Sequence, residues 1–257
     1  MIEITPVIEF YITNECNLSC TNCNRFNDYK FSGHYYWHDY ATLIEKWSRR
    51  VTAPNIVIIG GEPTQHPELE VWISNLRDLW PKANLMIQTN GVSNLYREKD
   101  RIWSEYNAAF GVAVHDLNMK DKLKEKWEPY RFDDVSLFDA SKFTESTVVR
   151  DSNRLRVHRS QPDIAFRNCT MKVSHTMFKG HLYKCPVTAV LPEFMKQHRV
   201  DLDADQQSLL DQYQPLDPDC TDQELVDFVI NQNQHIDQCA LCPQQATWSP
   251  VTFQRKK

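Results

Sequence analysis

The 257-residue sequence predicts an α/β protein with a parallel sheet, on three observations. Apolar segments of strand length alternate with segments of helical periodicity along the first 117 residues, which is typical of βαβ units. Hydrophobic residues make up 41% and charged residues 25%, an ordinary globular composition. Small polar motifs follow the first three predicted strands, at the edge where parallel sheets gather their functional groups.

The predicted elements follow one another in regular order. The segment 55–63 is a short apolar run that ends in a tight turn, as buried parallel strands do. The segment 67–81 places apolar residues at helical spacing along one stripe. The same reasoning predicts strands at 3–13, 55–63, 84–91 and 108–116, and helices at 38–51, 67–81 and 95–106.

The pattern loosens after residue 117. A charged, helical connection is predicted at 118–132, and a helix at 222–232. Two hairpins are predicted, one at 146–159 with its turn at Ser152 and Asn153, the other at 176–186 with its turn at Lys179 and Gly180. We place a boundary near residue 160, which divides the chain into domains 1–160 and 161–257.

Composition excludes several classes of function. The formal net charge of −5 provides no basic footprint, so a nucleic-acid partner is not expected. No run of ~18 apolar residues is present, so we expect no membrane span. The N-terminus lacks the features of a secretion signal, and a cytoplasmic location is expected. In that compartment the eight cysteines indicate metal binding rather than disulfides.

The first three cysteines, Cys16, Cys20 and Cys23, form a C-x3-C-x2-C motif directly after the first predicted strand. Three interpretations fit this motif. The cysteines could be buried structural residues, or they could hold zinc together with His34 or His38. They could also bind three irons of a [4Fe–4S] cluster and leave the fourth iron open for a small ligand.

This motif, with "GGEP" after the second strand and "TNG" after the third, resembles the radical S-adenosylmethionine (SAM) enzymes. The resemblance covers roughly residues 5–117. It implies a partial (β/α)6 TIM-like barrel, with Cys16, Cys20 and Cys23 as ligands of a SAM-binding [4Fe–4S] cluster. It also implies a turn that binds the methionine part of SAM, with Asn90 near the same cleft. The residues of that turn are Gly60, Gly61, Glu62 and Pro63. Independently, a glycine pair permits close backbone approach to a ligand, and a carboxylate can receive an ammonium group.

Two features depart from the family pattern. Asn22 stands where many members carry an aromatic residue near the adenine, so Phe26 is a substitute candidate for that contact. Ala113 and His115 stand where many members with auxiliary domains read S-x-D. We therefore expect His115 or Asp116 to serve the ribose or the substrate.

A second cysteine group lies in the C-terminal part. The spacing from Cys169 through Gly180 to Cys185 resembles the first half of the auxiliary-cluster extension called SPASM. No cysteine follows Cys242, so the resemblance implies the shortened form, a small α+β twitch-type domain with one auxiliary [4Fe–4S] cluster. The implied ligands are Cys169, Cys185, Cys239 and Cys242. Structural zinc is the alternative for these four, and Cys220 is a spare thiol unless it replaces one of them.

The resemblance implies an enzyme that cleaves SAM to a 5′-deoxyadenosyl radical, which abstracts hydrogen from a substrate. A flavodoxin or ferredoxin would supply electrons. The first strand begins within about five residues of the start, so no added peptide-binding domain is expected, and this favours a small-molecule substrate or a peptide held by the core itself. A peptide-modifying (RiPP-type) enzyme and a non-catalytic zinc protein are the alternatives. Two sets of residues are candidates for substrate or anion binding: Arg25, Lys30, His34, Tyr35, Tyr36 and Trp37, and the strand residues Arg154 and Arg156.

Overall fold

The computed structural model describes residues 1–93, 105–127 and 135–255. The predicted helix at 95–106 therefore lies outside the described residues except for its last two positions. The strands are β1 Ile2–Glu3, β2 Val7–Tyr11, β3 Leu18–Cys20, β4 Val51–Thr52, β5 Asn55–Ile59, β6 Asn84–Thr89, β7 Ala108–Val114, β8 Val135–Asp139, β9 Lys142–Thr144, β10 Val148–Asp151, β11 Arg154–Val157, β12 Ser174–Phe178, β13 His181–Tyr183, β14 Val200–Asp201, β15 Trp248–Pro250 and β16 Phe253–Arg255. The α-helices are α1 Trp37–Ser48, α2 Leu69–Leu79, α3 Lys120–Trp127, α4 Pro162–Asn168, α5 Pro186–Gln197, α6 Ala204–Gln212 and α7 Asp222–Ile230. Short 3-10 helices occupy Asn27–Tyr29, Pro63–Gln65, Leu117–Met119 and Asp237–Leu241.

A seven-stranded sheet forms the centre of the fold, in the order β13-β12-β2-β5-β6-β7-β8. Every pair from β12 to β8 is parallel, and β13 pairs antiparallel with β12 at one edge. The mixed α/β class and its parallel sheet are therefore confirmed. Among the described strands, β13 and β8 are the two edges of this sheet, and they do not pair with each other. The partial (β/α)6 barrel stays a prediction.

Strand alternation decides which face of the sheet is covered. Along β2, Ile8 and Phe10 are buried in one hydrophobic core, together with residues of β5, β6 and β7 and with Trp47 of α1 and Trp72 of α2. Glu9 lies between them in sequence, so its side chain is on the opposite face. Helices α1 and α2 thus cover one face, and the other face is left to line a cleft.

The C-terminal part continues the central sheet rather than standing apart from it. Strand β12 pairs with β2, so residues from beyond position 160 extend the sheet at the side of its first long strand. A second core surrounds Phe194 of α5, whose ring packs against Phe26 at 4.8 Å and Phe31 at 5.4 Å. The division at residue 160 remains a prediction, and residues from both sides of it share this core.

Both predicted hairpins are confirmed. In the first, Asp151 pairs with Arg154 across a turn in which Ser152 has a φ of 57°. In the second, Phe178 pairs with His181, and the turn residues Lys179 and Gly180 have φ of 51° and 77°. Two successive positive φ values are what a two-residue hairpin turn needs, since they match the twist of the flanking strands.

Candidate functional site

The three N-terminal cysteines line one cleft at the carboxyl edge of the sheet. Cys16 follows β2, Cys20 ends β3, and Cys23 precedes the 3-10 helix Asn27–Tyr29. The cleft has a volume of about 1100 Å³ including its open mouth, and its walls also contain Gly60, Gly61, Glu62, Asn90 and His115. Nearly all residues that the sequence nominated for the first site are therefore neighbours in space. Pro63, Phe26 and Asp116 do not line the cleft, and Pro63 is buried in the first turn of a 3-10 helix.

The glycine pair is required by the cysteine loop itself. A Cβ on Gly60 would lie 2.5 Å from the carbonyl oxygen of Thr13, and one on Gly61 would lie 2.3 Å from that of Glu15. The backbone N–H of Gly61 donates to Thr13 O at 2.7 Å, and that of Glu62 donates to Glu15 O at 2.7 Å. Glycine here permits two backbone segments of the protein to touch, which differs from the predicted close approach to a ligand.

Glu62 joins the ends of two strands. Its Oε1 accepts hydrogen bonds from Thr64 Oγ1 at 2.6 Å and Thr89 Oγ1 at 2.7 Å. Its Oε2 accepts the backbone N–H of Asn90 at 2.7 Å. Burial raises the pKa of this carboxyl, and the bonds from Asn90 and Thr64 oppose that rise. Glu62 thus holds the turn after β5 against the end of β6; its contact with an ammonium group stays a prediction.

Asn90 and His115 enter the same cleft from neighbouring strands. Asn90 Nδ2 donates to Asn17 Oδ1 at 2.7 Å and lies 3.9 Å from Cys16 Sγ. His115 donates from Nδ1 to Ala140 O at 3.2 Å, and burial lowers the pKa of its imidazole. It is therefore neutral at pH 7, with Nε2 as an acceptor. Asp116, the other candidate, caps the 3-10 helix that follows by accepting from Asn118 N at 2.9 Å.

Neither Asn22, at the position where the family carries an aromatic residue, nor its predicted substitute Phe26 lines the cleft. Asn22 has a φ of 57° and donates from Nδ2 to Ser249 Oγ at 2.9 Å. Phe26 is fully buried against Phe194, so the guess that it contacts adenine is wrong. Its apolar ring is buried in the second core and is not part of the cleft wall. Phe143 of β9 lines the cleft instead, with its ring 5.4 Å from that of His115.

Most of the proposed substrate residues that follow the cysteine loop lie elsewhere. Arg25 alone of that set lines the cleft. Tyr35 is buried beside Phe178, and Trp37 packs on Trp72. Lys30, His34 and Tyr36 are outside the cleft walls as well. On β11, Arg154 and Arg156 are exposed and pair with Asp201 and Asp151, so they form a solvated strand face.

The second cysteine group lines a separate cavity of about 810 Å³, including its open mouth. Each of its cysteines lies in a 3-10 helix or directly next to a helix end. Cys169 follows the last residue of α4, and Cys185 precedes the first residue of α5. The 3-10 helix Asp237–Leu241 contains Cys239 and is followed by Cys242. Asn24 and Met171 line both cavities, so the two cysteine sites share a wall.

Cys220 is kept away from both sets. Its Sγ accepts from Arg50 Nη1 at 3.5 Å, and neither cavity includes it. It precedes Thr221, the N-cap of α7, where the side chains of Thr221 and Glu224 form a capping box. Its separation from the other cysteines fits the prediction that Cys220 is a spare thiol.

The thiols of both sites are shielded from water. Burial raises the pKa of Cys16 and Cys23 in the first site and of Cys169 and Cys242 in the second. It raises the pKa of Cys239 to about 11. These groups are therefore protonated at neutral pH as free thiols, and metal binding must release their protons.

Several residues that line the first cleft were not predicted from the sequence, among them Glu9, Gln88 and Met171. Glu9 and Gln88 face it from the middle of β2 and from near the end of β6, and Met171 forms part of the shared wall. Glu9 is the one polar residue in a strand of apolar residues, and this contrast could have indicated that its side chain lies on the cleft face. No local pattern marks Met171, because its place depends on how the C-terminal part packs.

Comparison with known proteins identifies the class. Residues 10–136 match the Radical SAM superfamily. The fold and its cysteine-lined cleft therefore belong to an enzyme that carries a radical SAM domain. A domain of this kind implies a [4Fe–4S] cluster and SAM as cofactors, and three cysteines, a glycine turn and a cleft of this size fit them. No curated protein sequence matches the chain.

Two solved structures are similar over nearly the whole chain. The crystal structure of BtrN in complex with AdoMet and 2-DOIA has 18% sequence identity and a TM-score of 0.56, and the match covers 96% of this chain and 98% of that one. The structure of SeMet BtrN in an open conformation has 19% identity and a TM-score of 0.50, with 92% and 91% covered. At these identities the likeness establishes the fold. Each helix in the described ranges is too short or too polar to cross a lipid bilayer.

Proposed function

We propose that this enzyme binds two [4Fe–4S] clusters and uses SAM to start a radical reaction on a small-molecule substrate. The observation that carries the proposal is the sorting of seven cysteines into two cavities, three in one and four in the other. Three thiolates leave one iron of a cube open for SAM, and four leave none. The proposed ligands are Cys16, Cys20 and Cys23 for the first cluster and Cys169, Cys185, Cys239 and Cys242 for the auxiliary cluster, in a twitch-type C-terminal domain.

A reduced cluster held by Cys16, Cys20 and Cys23 would supply the electron for cleavage of SAM to methionine and a 5′-deoxyadenosyl radical, and that radical would take a hydrogen atom from the substrate. The turn Gly60–Glu62 and Asn90 form the adjoining wall, where the methionine part of SAM would bind. Neutral His115 offers an acceptor nitrogen to a ribose or substrate hydroxyl. An outside donor such as a flavodoxin or ferredoxin would supply the electron, and a reducing cytoplasm would keep the cysteines available as ligands.

The auxiliary site supports an electron-transfer or structural role. With four thiolates its irons have no open position, and the wall it shares with the first cleft keeps the two sites close. Zinc is the rival for these cysteines. A zinc ion would need all its ligands about 2.3 Å away, whereas a cube takes one thiolate per iron.

The test is anaerobic purification followed by iron and sulfide analysis, then incubation with dithionite and SAM. We expect about eight irons per chain, four for each of two cubes, and formation of 5′-deoxyadenosine. Stoichiometric zinc with intact SAM would establish the non-catalytic alternative. Modification of an added peptide pool with no turnover of small molecules would establish the peptide-modifying alternative.

A further inference from the structure

The floor of the SAM cleft carries a buried ion pair that the proposed cofactors do not use. Arg25 Nη2 donates to Glu9 Oε2 at 2.8 Å, and the side chains are 8% and 11% exposed. Both residues line the cleft. Glu9 lies in the middle of β2, whereas the cysteines follow the end of that strand. The pair therefore lies nearer the middle of the sheet than the cysteine loop does.

Several polar atoms around this pair lack partners. Arg25 Nε and Asn27 Oδ1 are buried without a hydrogen bond within the described part of the chain. Glu9 Oε1 and the amide of Gln88 also make no hydrogen bond to any described residue. Buried polar groups in native proteins are normally satisfied, and exceptions call for an explanation such as a ligand. One donor and two acceptors, with an amide that can act as either, thus belong to residues that line the same cleft.

A small residue borders the cleft next to Gln88. Ala113 of β7 lines the cleft, whereas Gly111, the direct partner of Gln88 in the sheet, is covered by the side chain of Met86. A Cβ on Gly111 would lie 2.8 Å from Met86 Sδ, so the open part of the cleft lies beside Ala113. A compact molecule can thus reach Gln88 and the Glu9–Arg25 pair.

Charge selects the kind of molecule. Among the described cleft residues the ionisable side chains other than cysteine and histidine are Glu9, Glu62 and Arg25. Arg25 is already bonded to Glu9, and cluster thiolates would add negative charge nearby. An anionic ligand would meet two carboxylates with no unengaged cation. A hydroxyl or amine can donate to Glu9 Oε1 and Asn27 Oδ1, and a neighbouring oxygen can accept from Arg25 Nε.

We propose that Glu9, Arg25, Asn27 and Gln88 form the substrate subsite and that it takes a compact polyhydroxylated or amino-alcohol molecule, neutral or cationic. This inference rests on the proposed function and adds the substrate class to it. Glu9 is the specificity-determining residue, because its open carboxylate oxygen favours an amine or hydroxyl and repels a carboxylate. Gln88, near the end of β6, contributes a second hydrogen-bonding group closer to the carboxyl edge of the sheet.

The test measures binding of three matched probes to the anaerobic, iron-loaded enzyme with SAM present, by isothermal titration calorimetry. Glucosamine, glucose and glucuronate share one ring and differ in amine, hydroxyl and carboxylate. We expect glucosamine and glucose to bind at least tenfold more tightly than glucuronate. Glu9→Gln should reduce the preference for glucosamine over glucuronate at least fivefold. Glu45→Gln, on the exposed surface of α1, is the matched control and should change nothing.

Iron content shows whether each variant is folded and loaded. If Glu9→Gln fails to load, Gln88→Met carries the test, since it removes an unpaired amide at nearly constant volume; it should weaken glucose binding at least threefold. Tightest binding of glucuronate, no binding of any probe, or probe affinities unchanged in both variants would overturn the subsite. Wild-type iron counting and SAM cleavage are measured on the same preparation, so failure of the proposed function is recognised separately.

Discussion

Cys20 and Phe253 are direct partners in an antiparallel strand pair, although they lie near opposite ends of the chain. The backbone N–H of Thr21 donates to Thr252 O at 2.8 Å, and Asn22 donates to Ser249. Strand β15, just before, pairs with β9. The segment 248–255 therefore crosses the loop that carries the first three cysteines and fixes it to the body of the fold.

Removal of this segment should release the cysteine loop. We expect a chain that ends at residue 247 to lose the first cluster preferentially, because its loop loses a strand partner while the four other cysteines keep their helices. Anaerobic iron analysis should fall from about eight to about four irons per chain. A chain shortened only by residues 256 and 257 is the control and should keep all its iron. Full iron in the longer deletion would show that the loop holds its shape alone.

Gly61→Ala should disrupt the first site by a backbone collision. The added Cβ would lie 2.3 Å from Glu15 O, and a backbone atom cannot rotate away. Overpacking of this kind costs about 1–3 kcal/mol or more. We expect lower stability in urea unfolding and weak SAM binding. Gly111→Ala is the matched control: its nearest neighbour is the movable end of Met86, so a much smaller effect is expected. Equal losses in the two variants would contradict the explanation.

Cys220→Ser and Cys239→Ser should have opposite effects on iron. Cys220 contacts Arg50 outside both cavities, whereas Cys239 lines the second cavity with three other cysteines. We expect Cys220→Ser to keep about eight irons and Cys239→Ser to keep about four. Some SAM cleavage should survive in the second variant, since the first site is untouched. Iron loss from Cys220→Ser, with full iron in Cys239→Ser, would mean that the ligand set is wrong.

His66 should make stability depend on pH. Glu68 N donates to its Nδ1 at 3.0 Å, so Nε2–H donates to Tyr35 O at 2.8 Å. Burial lowers the pKa of this imidazole from 6.5 to about 4. Between these values the unfolded chain binds a proton that the folded chain does not. The stabilisation from neutral His66 is thus complete above pH 6.5 and is lost as the pH falls towards 4.

The measurement is the free energy of unfolding in urea at several values between pH 7 and pH 4. His66→Gln should flatten the pH dependence over this interval relative to the wild type, because glutamine does not titrate. The exposed His235→Gln is the control and should leave the wild-type slope unchanged. An unaltered slope in His66→Gln would assign the pH dependence to other groups.

The order of strands and helices could be predicted because it follows from the spacing of apolar residues within each segment. The buried strand β5, the amphipathic helix α2 and the hairpin at Lys179 and Gly180 each depend on a few adjacent residues. The grouping of the cysteine loop, the glycine turn and Asn90 could also be predicted. Parallel strands bring their carboxyl ends to one edge, so motifs after successive strands must become neighbours.

The sequence by itself determined the α/β class, the three-cysteine motif and the strand-end position of the first site. Only the tertiary structure placed β12 beside β2, laid β16 across Cys20, and separated Cys220 from the other cysteines. It also showed why glycine is needed at positions 60 and 61, which is that the backbone there contacts the backbone of Thr13 and Glu15. These features depend on pairings between segments far apart in the chain, where the partner is chosen by packing and not by any pattern of neighbouring residues.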